Sequence, residues 1–216
     1  MKILCVGYRD WALAIYDQLV KCTNHDIHIV RSKEEFDKET VFNISPEIIL
    51  FYGWSWIVSD KIINCYKCVM LHPSPLPKYR GGSPIQNQIL AGEMDSAVTL
   101  FLMTNGMDAG NIIGQEPLSL EGSIPDIFKR MEIIGLRLTI AFLSGNYKEV
   151  SQDENEATYC KRRKSTDSEI TINELLNKDS KYLYNKIRML TGPYPRAFIR
   201  TIDNLRLEII EASIEE

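Results

Sequence analysis

The sequence predicts an α/β protein with a Rossmann-like, mainly parallel sheet flanked by helices, followed by a short C-terminal helix and β-hairpin extension. Short apolar runs alternate with amphipathic segments through the first 150 residues, an order typical of parallel strands joined by helical crossovers. Turns rich in glycine and proline separate these segments. The composition, with 44% hydrophobic and 25% charged residues, is that of a globular protein with one main core.

The first half of the chain supplies four buried strands. Apolar runs without polar alternation are typical of strands covered on both faces. The helical spacing of Trp11, Ile15 and Leu19 predicts a helix after the first strand. Strands are expected at MKILCVG, IHIVRS, EIILFYG and CVMLH, and helices at DWALAIYDQLV and WIVSDKIINCY.

The next part begins with the rigid loop HPSPLPKYRGGSP, after which Ser83 and Pro84 mark the start of a helix and Gly92 its end. The strands AVTLFLM and IIGQEPLSL lie on either side of the turn-rich tract TNGMDAGN. A long helix follows, with Ser123 as its N-cap and Gly145 as its terminator. Ligands on such sheets bind beyond the C-terminal strand ends, so the loops GYRD, GWSW and HPSPLPKYRGG should converge.

Near residue 150 the sequence changes character, because the tract SQDENEATYCKRRKSTDSE is almost wholly polar and lacks periodicity. We therefore place a main domain at residues 1–150. Residues 151–216 are expected to form a linker, one helix (SKYLYNKIRML) and a truncated β-hairpin that turns at Asp203 and Asn204. Two strands alone are marginally stable, so this hairpin is expected to offer an edge through which a homodimer could form.

Charge and targeting signals narrow the function classes. The net charge of −4 disfavours a protein whose affinity depends on neutralising many phosphates, so a nucleic-acid partner is not expected. The N-terminus lacks the apolar core of a signal peptide, and no apolar run approaches the roughly 18 residues of a membrane span. We therefore expect a cytoplasmic protein without a membrane partner. Five scattered cysteines, including the pair in CYKC, suit reduced thiols, and no metal site is predicted.

His72 and Asp108 are the candidates for chemistry. His72 ends the strand CVMLH and opens a loop whose prolines make it stiff and whose glycines allow close backbone approach to a ligand. The alternatives are a structural histidine and an ordinary turn aspartate in NGMDAG. A carboxylate beside an imidazole fixes the ring and stabilises its charged form, as general acid or base catalysis requires. The two side chains are therefore expected to lie in contact.

The tracts HPSPLPKYRGGSPIQ and GMDAGNII together resemble the folate-dependent formyltransferase family, whose members formylate methionyl-tRNA, glycinamide ribonucleotide or amino sugars of sugar nucleotides. The resemblance covers nearly the whole chain, since MKILCVGYRDWA is similar to the family's first strand and loop, and IRMLTGPYPRAF to the start of its C-terminal domain. It implies a methionyl-tRNA formyltransferase-like fold with a catalytic domain at residues 1–150. It also implies an enzyme that uses 10-formyltetrahydrofolate as co-substrate.

In this family an Asn, a His and an Asp serve the transfer of formyl to a primary amine through a tetrahedral intermediate. His72 matches the histidine and Asp108 the aspartate. The segments GWSWIV and TNGMD match those that hold the pterin. The resemblance thus assigns folate binding to Trp54, Trp56, Val58, Asn105 and Asp108. For the tryptophans, packing in the core or in a lid is an equal alternative.

The family's asparagine is absent, since Met70 stands two residues before His72. A thioether cannot donate a hydrogen bond to a developing oxyanion, and loss of one such donor costs on the order of a hundredfold in rate. Asn87, Asn105 or a backbone amide are the candidates to replace it. Slow catalysis and absent catalysis are the alternatives.

The segments FYGWSW and GPYPRAF are most similar to the sugar-nucleotide branch, and the residues after 150 are too few for the complete barrel of the tRNA enzymes. The resemblance thus implies formylation of a nucleotide-linked amino sugar in glycan biosynthesis. Candidates to bind its phosphates and base are Arg9, Lys78, Arg80 and Tyr194, with the cluster KRRK as either a further phosphate contact or a solvated linker. A methionyl-tRNA formyltransferase-like enzyme, a formyltetrahydrofolate hydrolase and a non-catalytic folate or nucleotide-sugar binding module remain as alternatives.

Overall fold

The computed structural model describes residues 1–215, which form a central sheet with helices on both faces and a smaller C-terminal region. The strands are β1 (Lys2–Val6), β2 (Asp26–Val30), β3 (Ile48–Tyr52), β4 (Lys67–His72), β5 (Arg80–Gly81), β6 (Asp95–Leu102), β7 (Ile112–Ser119), β8 (Tyr159–Cys160), β9 (Ala197–Arg200) and β10 (Arg206–Ile209). The α-helices are α1 (Asp10–Cys22), α2 (Lys38–Ile44), α3 (Asp60–Cys65), α4 (Pro84–Leu90), α5 (Ile124–Leu143), α6 (Ile172–Asn177) and α7 (Ser180–Arg188).

The central sheet has the strand order β2-β1-β3-β4-β6-β7. The strands from β2 to β4 run parallel, whereas β6 is antiparallel to both β4 and β7. Every residue of β3 is buried, because this strand lies inside a sheet that is covered on both faces. The predicted fold class is confirmed, with antiparallel pairing at the β6–β7 side of the sheet.

Two cores lie on opposite faces of the sheet. Successive residues of a strand point to opposite faces, so Ile3 and Leu4 of β1 enter different cores. The larger core contains Ile15 of α1 and Leu138 of α5. The smaller core contains Val41 of α2. The C-terminal ends of the parallel strands therefore open between two packed layers, which is where the predicted loops meet.

The starts of helices α4 and α5 can be compared with the N-caps predicted from the sequence. Ser123 and Asp126 form a reciprocal capping box at the start of α5, as the N-cap signal at Ser123 predicts. Ser83 also stands before its helix, but with a φ of 53° and without capping it. Its hydroxyl accepts the backbone N–H of Arg163 at 3.1 Å instead. The position of the α4 start is thus confirmed, and the capping role expected for Ser83 is wrong.

Two short helices, α2 and α6, have no counterpart among the predicted elements. Only Val41 is buried in α2, and no residue is buried in α6, so neither shows an apolar face with helical spacing. Both are started by local caps: the Asp37 side chain accepts the Thr40 amide, and the Thr171 side chain accepts the Glu174 amide. Polar caps, rather than burial, define these helices.

The C-terminal region contains the expected helix α7 and the expected hairpin. The strands β9 and β10 pair antiparallel, with Arg200 opposite Arg206, and Asn204 in the turn has a φ of 62°. The strand β8 pairs in parallel with β5, which brings Tyr159 beside Arg80. Residues after 150 thus contact the loop that follows β4, while the domain division at residue 150 stays a prediction. None of the helices in residues 1–215 has the length and apolar character needed to cross a bilayer.

Candidate active site

A cleft of about 750 Å³ opens at the C-terminal ends of β1, β3 and β4. Its walls include residues from each of the three loops that were expected to converge, among them Arg9, Trp54 and His72. Topology explains the meeting, because parallel strands end at the same edge of a sheet. The cleft also takes in Asp108 from the loop between β6 and β7.

His72 is held at the end of β4 with its imidazole almost wholly buried. Its Nε2 lies 2.9 Å from the carbonyl oxygen of Tyr79, which can only accept a hydrogen bond. We therefore place a hydrogen on Nε2. Its Nδ1 faces the Oδ2 of Asp108 at 3.6 Å. A proton that arrives on Nδ1 would thus be next to a carboxylate.

Asp108 has a φ of 50°, in the left-handed region that residues other than glycine seldom adopt. Its Oδ2 accepts the backbone N–H of Gly81 at 2.8 Å. Its own carbonyl oxygen accepts a hydrogen bond from the Gln152 side chain. Contacts at both the side chain and the main chain therefore fix the carboxylate that faces His72, and the expected proximity of His72 and Asp108 is observed.

One group of residues in the cleft wall, here called the aromatic end, consists of Trp54, Trp56, Val58, Met70 and residues 103–108. The rings of Trp54 and Trp56 pack with centroids 4.7 Å apart. Trp54 has a buried indole Nε1 without a hydrogen-bond partner among residues 1–215. A buried donor without a partner is costly in a folded protein, so this N–H is a candidate to bind a ligand. This end suits a flat ring with hydrogen-bonding edges.

A second group of residues in the cleft wall, here called the cationic end, consists of Arg9, Lys161, Arg162 and Tyr194. The Arg9 guanidinium lies 4.7 Å from the ring centroid of Tyr8 and 5.7 Å from that of Tyr194. Burial raises the pKa of Tyr194, although Gln86 and Arg9 beside it act in the opposite direction, so its phenol remains a neutral hydrogen-bond donor. An anion with an attached ring would meet charge and an aromatic face here.

Two predicted substrate contacts lie elsewhere. Lys78 is exposed on the loop and does not line the cleft. Arg80 is fully buried, and its guanidinium donates hydrogen bonds to Gln152, to the Glu154 carboxylate and to the Tyr159 hydroxyl. The prediction that Arg80 contacts the substrate is therefore corrected. Its guanidinium is already hydrogen-bonded to side chains of this chain that are distant in sequence.

Met70 and the proposed substitutes for the family asparagine have different positions. The Met70 side chain lines the aromatic end. Asn87 is engaged in holding two loops together, since its Nδ2 donates to the carbonyl oxygens of Gly82 and Lys161, both at 3.0 Å. Asn105 lines the cleft. Of the two asparagines, only Asn105 is thus placed in the described wall of the cleft.

Sequence reasoning missed part of this wall. Cys160 lines the cleft although it lies in the polar tract that was assigned to a linker. Lys161 and Arg162 of the KRRK cluster, which the sequence left open as a phosphate contact or a solvated linker, also line it. The pairing of β8 with β5 brings these residues there, and a strand of two residues is too short for a periodic pattern to predict. Within residues 1–215, His, Cys, Asp and Glu side chains form no group of three that could hold a metal.

Gly110, two residues after Asp108, lies at a position where no side chain fits. A Cβ at this position would lie 1.7 Å from the backbone oxygen of Leu102, which cannot move without disturbing β6. We expect Gly110→Ala to lower the free energy of unfolding by about 1–3 kcal/mol, as other overpacked substitutions do. Thermal unfolding measures this effect. Gly106→Ala in the same loop is the matched control, because its Cβ would approach other side-chain atoms no closer than 3.1 Å; equal losses for both variants would contradict the prediction.

The Cys160 thiol should be slow to react. Burial raises its pKa and the Asp108 charge adds to this, although Asn87 acts in the opposite direction. Since the thiolate is the reactive form, we expect iodoacetamide at neutral pH to modify Cys160 more slowly than the exposed Cys22 and Cys65. Peptide mass spectrometry over a time course measures the three rates. Modification of Cys160 as fast as that of Cys22 would disprove the expectation.

Comparisons with known proteins all indicate the same family. Residues 12–121 match the family described as formyl transferase. Methionyl-tRNA formyltransferase of Wolbachia pipientis subsp. Culex pipiens is 28% identical over 213 residues, which cover 90% of this chain and 68% of that protein. The chain spans between 51% and 68% of the length of such curated relatives.

Solved structures extend the likeness to the whole fold. Methionyl-tRNA formyltransferase from Clostridium thermocellum superimposes with a TM-score of 0.90 at 33% identity, covering 100% of this chain and 94% of that one. A 4-N formyltransferase from Francisella tularensis gives 0.77 at 16% identity, covering 99% and 98%. HypX from Aquifex aeolicus in complex with tetrahydrofolic acid gives 0.76 at 19% identity, covering 93% and 36%. The last two similarities show the fold alone.

Proposed function

The chain belongs to the formyl transferase family, and from this premise we propose that it moves the formyl group of 10-formyltetrahydrofolate to the amine of a nucleotide-linked amino sugar. The observation that supports this most is the pair His72 and Asp108 in a cleft whose wall contains both aromatic and cationic residues. The family resemblance predicted from the sequence is confirmed. The identity of the amine acceptor is the part that needs experiment.

The aromatic end is the proposed folate site. A pterin is flat and has donors and acceptors along its edge, which fits aromatic side chains, the unpartnered Nε1 of Trp54 and the backbone of residues 103–108. Trp54, Trp56, Val58, Asn105 and Asp108 would hold it there. Bound at this end, 10-formyltetrahydrofolate supplies the activated formyl group.

His72 is the proposed acid–base residue. A primary amine must lose a proton when it attacks a formyl carbon, and Nδ1 is the ring nitrogen left free to take it, because Nε2–H is engaged by the Tyr79 carbonyl. Asp108 would stabilise the resulting imidazolium from 3.6 Å. The same positive charge would then support the negative charge that develops on the formyl oxygen. Because Met70 stands where the family has an asparagine amide, His72 would supply a larger share of the stabilisation of that oxygen. When the tetrahedral intermediate collapses, the bond between the formyl carbon and N10 would break, and the imidazolium would return its proton to N10, so that tetrahydrofolate leaves.

The cationic end is the proposed acceptor site. Arg9, Lys161 and Arg162 can meet a diphosphate, and Tyr194 offers a ring face and a neutral hydroxyl. These few cations suit a small acceptor, since a protein of net charge −4 is poorly equipped to neutralise many phosphates. Formylation of methionyl-tRNA is the second candidate, favoured by the 33% identity to the Clostridium thermocellum enzyme.

An acceptor panel tests the proposal. The protein with 10-formyltetrahydrofolate is incubated with UDP-, TDP-, GDP- and CMP-linked amino sugars or with methionyl-tRNA, while release of tetrahydrofolate and formylated product are both measured. Stoichiometric formylation of a sugar nucleotide supports the proposal. Formylation of methionyl-tRNA alone would replace it with the second candidate, and formate release without any amine would identify a hydrolase. Folate binding with no turnover on the whole panel would leave a binding module.

A further inference from the structure

Gln152 joins the loop of Asp108 to a buried arginine. Its Nε2 donates hydrogen bonds to the carbonyl oxygens of Asp108 at 2.8 Å and of Gly110 at 2.7 Å. Its Oε1 accepts from Nε and Nη2 of Arg80, at 3.1 Å and 2.8 Å. One side chain from the tract after residue 150 thus makes four hydrogen bonds to the two loops that build the His72–Asp108 site.

The orientation of the Gln152 amide follows from its partners. A guanidinium can only donate and carbonyl oxygens can only accept, so the amide cannot be flipped without losing all four bonds. Arg80 is itself immobilised, because both oxygens of the Glu154 carboxylate and the Tyr159 hydroxyl accept from it. Gln152 is therefore anchored on one side and reaches toward Asp108 on the other.

Asp108 needs such an anchor. Its left-handed backbone is unfavourable for a residue other than glycine and persists only when surrounding contacts impose it. The Gln152 amide holds the Asp108 carbonyl, while the Gly81 amide holds the carboxylate. These two bonds hold the residue at its main chain and at its side chain. Its Oδ2 is thereby directed at Nδ1 of His72.

We propose that Gln152 is a positioning residue for formyl transfer, which keeps the Asp108 carboxylate aligned with His72 through the Asp108 main chain. The kinetic part of this inference rests on the proposed function, whereas its structural part does not. Gln152 does not itself line the cleft, and its hydrogen bond to a residue of the cleft wall is the one to the Asp108 main chain. It acts through Asp108, from a segment that sequence analysis placed outside the catalytic domain.

The variant Gln152→Glu separates the contact with Arg80 from the contact with the loop of Asp108. A carboxylate still accepts from Arg80, but it cannot donate to the carbonyl oxygens of Asp108 and Gly110 and repels both. Because displacement of a catalytic group by about 1 Å can cost about 10²-fold in rate, we expect a 10- to 100-fold fall in kcat. The affinity for tetrahydrofolate should change less than threefold. Asn24→Asp, an amide-to-acid change at an exposed position outside the cleft wall, is the control and should retain wild-type kcat.

Backbone amide exchange gives a readout that does not depend on turnover. The Gly81 N–H is protected by the Asp108 carboxylate, whereas the neighbouring Arg80 and Gly82 amides are bonded to the Thr158 and Cys160 carbonyls. If Gln152 positions Asp108, Gln152→Glu should accelerate exchange at Gly81 at least about tenfold and leave Arg80 and Gly82 protected. A general loosening of the loop would accelerate all three amides alike.

The outcomes separate the inference from the proposed function. Selective loss of protection at Gly81 together with lowered kcat supports the positioning role. Wild-type kcat, unchanged exchange at Gly81, or equal acceleration at all three amides would overturn it. If the wild-type protein formylates no acceptor, the proposed function fails, and exchange at Gly81 alone decides the role of Gln152. Gln152→Met, which removes the amide without adding charge, should give the same exchange pattern if Gln152→Glu does not fold.

Discussion

Replacement of His72 by alanine should lower single-turnover formyl transfer by about 10²- to 10⁴-fold and leave folate affinity within a fewfold of wild type. General acid–base groups contribute rate factors of this size, and here the imidazole would also supply the positive charge beside the formyl oxygen. Folate affinity should be spared because the pterin is proposed to be held by cleft residues other than His72. Rapid-quench measurement of the first turnover, with a separate folate titration, tests both expectations.

The control for His72 is its neighbour on the same strand face. Met70→Ala removes a side chain from the cleft wall but no proton donor or charge, so its effect on the chemical step should be far smaller. A His72→Ala protein that transfers formyl at nearly the wild-type rate would show that catalysis resides elsewhere. Equal rate losses in His72→Ala and Met70→Ala would indicate that the altered cleft shape, and not the loss of the imidazole, causes the effect.

Asp108→Asn should also be severe, with a loss of roughly 10²-fold or more in the first turnover. The amide matches the carboxylate in shape, and its oxygen can still accept the Gly81 N–H, so the loop should keep its conformation. What disappears is the negative charge beside Nδ1, without which a proton on the imidazole is no longer stabilised. The same rapid-quench assay measures the loss.

A surface carboxylate provides the comparison for Asp108. Asp17→Asn removes one charge from an exposed pair with Arg31, and such pairs contribute little. Transfer by Asp17→Asn should therefore remain close to wild type. If Asp108→Asn retained transfer while unfolding at the wild-type temperature, the carboxylate would have no part in the chemistry.

The sequence predicted the elements whose signals are local or periodic. The strands β1 and β3 appear as apolar runs because both of their faces are buried, and α5 combines a capping box with an apolar stripe. His72 was recognisable because it ends such a strand and opens a stiff loop. These features depend on neighbouring residues and are therefore visible without a structure.

Arg80 and Gln152 were not predictable in this way. A basic residue in a glycine-rich loop has the pattern of a phosphate contact, and only the return of the chain at residues 152–160 buries Arg80. Gln152 itself stands in a polar tract without periodicity. Long-range pairing decided both positions, and no local pattern encodes it.

The pairing of β5 with β8 has a consequence for the order of events during synthesis. Arg80 and Gly81 emerge well before their partners Tyr159 and Cys160, so the loop that contacts both His72 and Asp108 acquires its last hydrogen bonds late. Residues that have not yet left the ribosome cannot pair with those that have, and synthesis adds only about 5–20 residues per second. All six strands of the central sheet can therefore have emerged while the chemistry they will support is still unassembled, and a chain interrupted between residues 150 and 160 would contain the whole central sheet but lack an organised site.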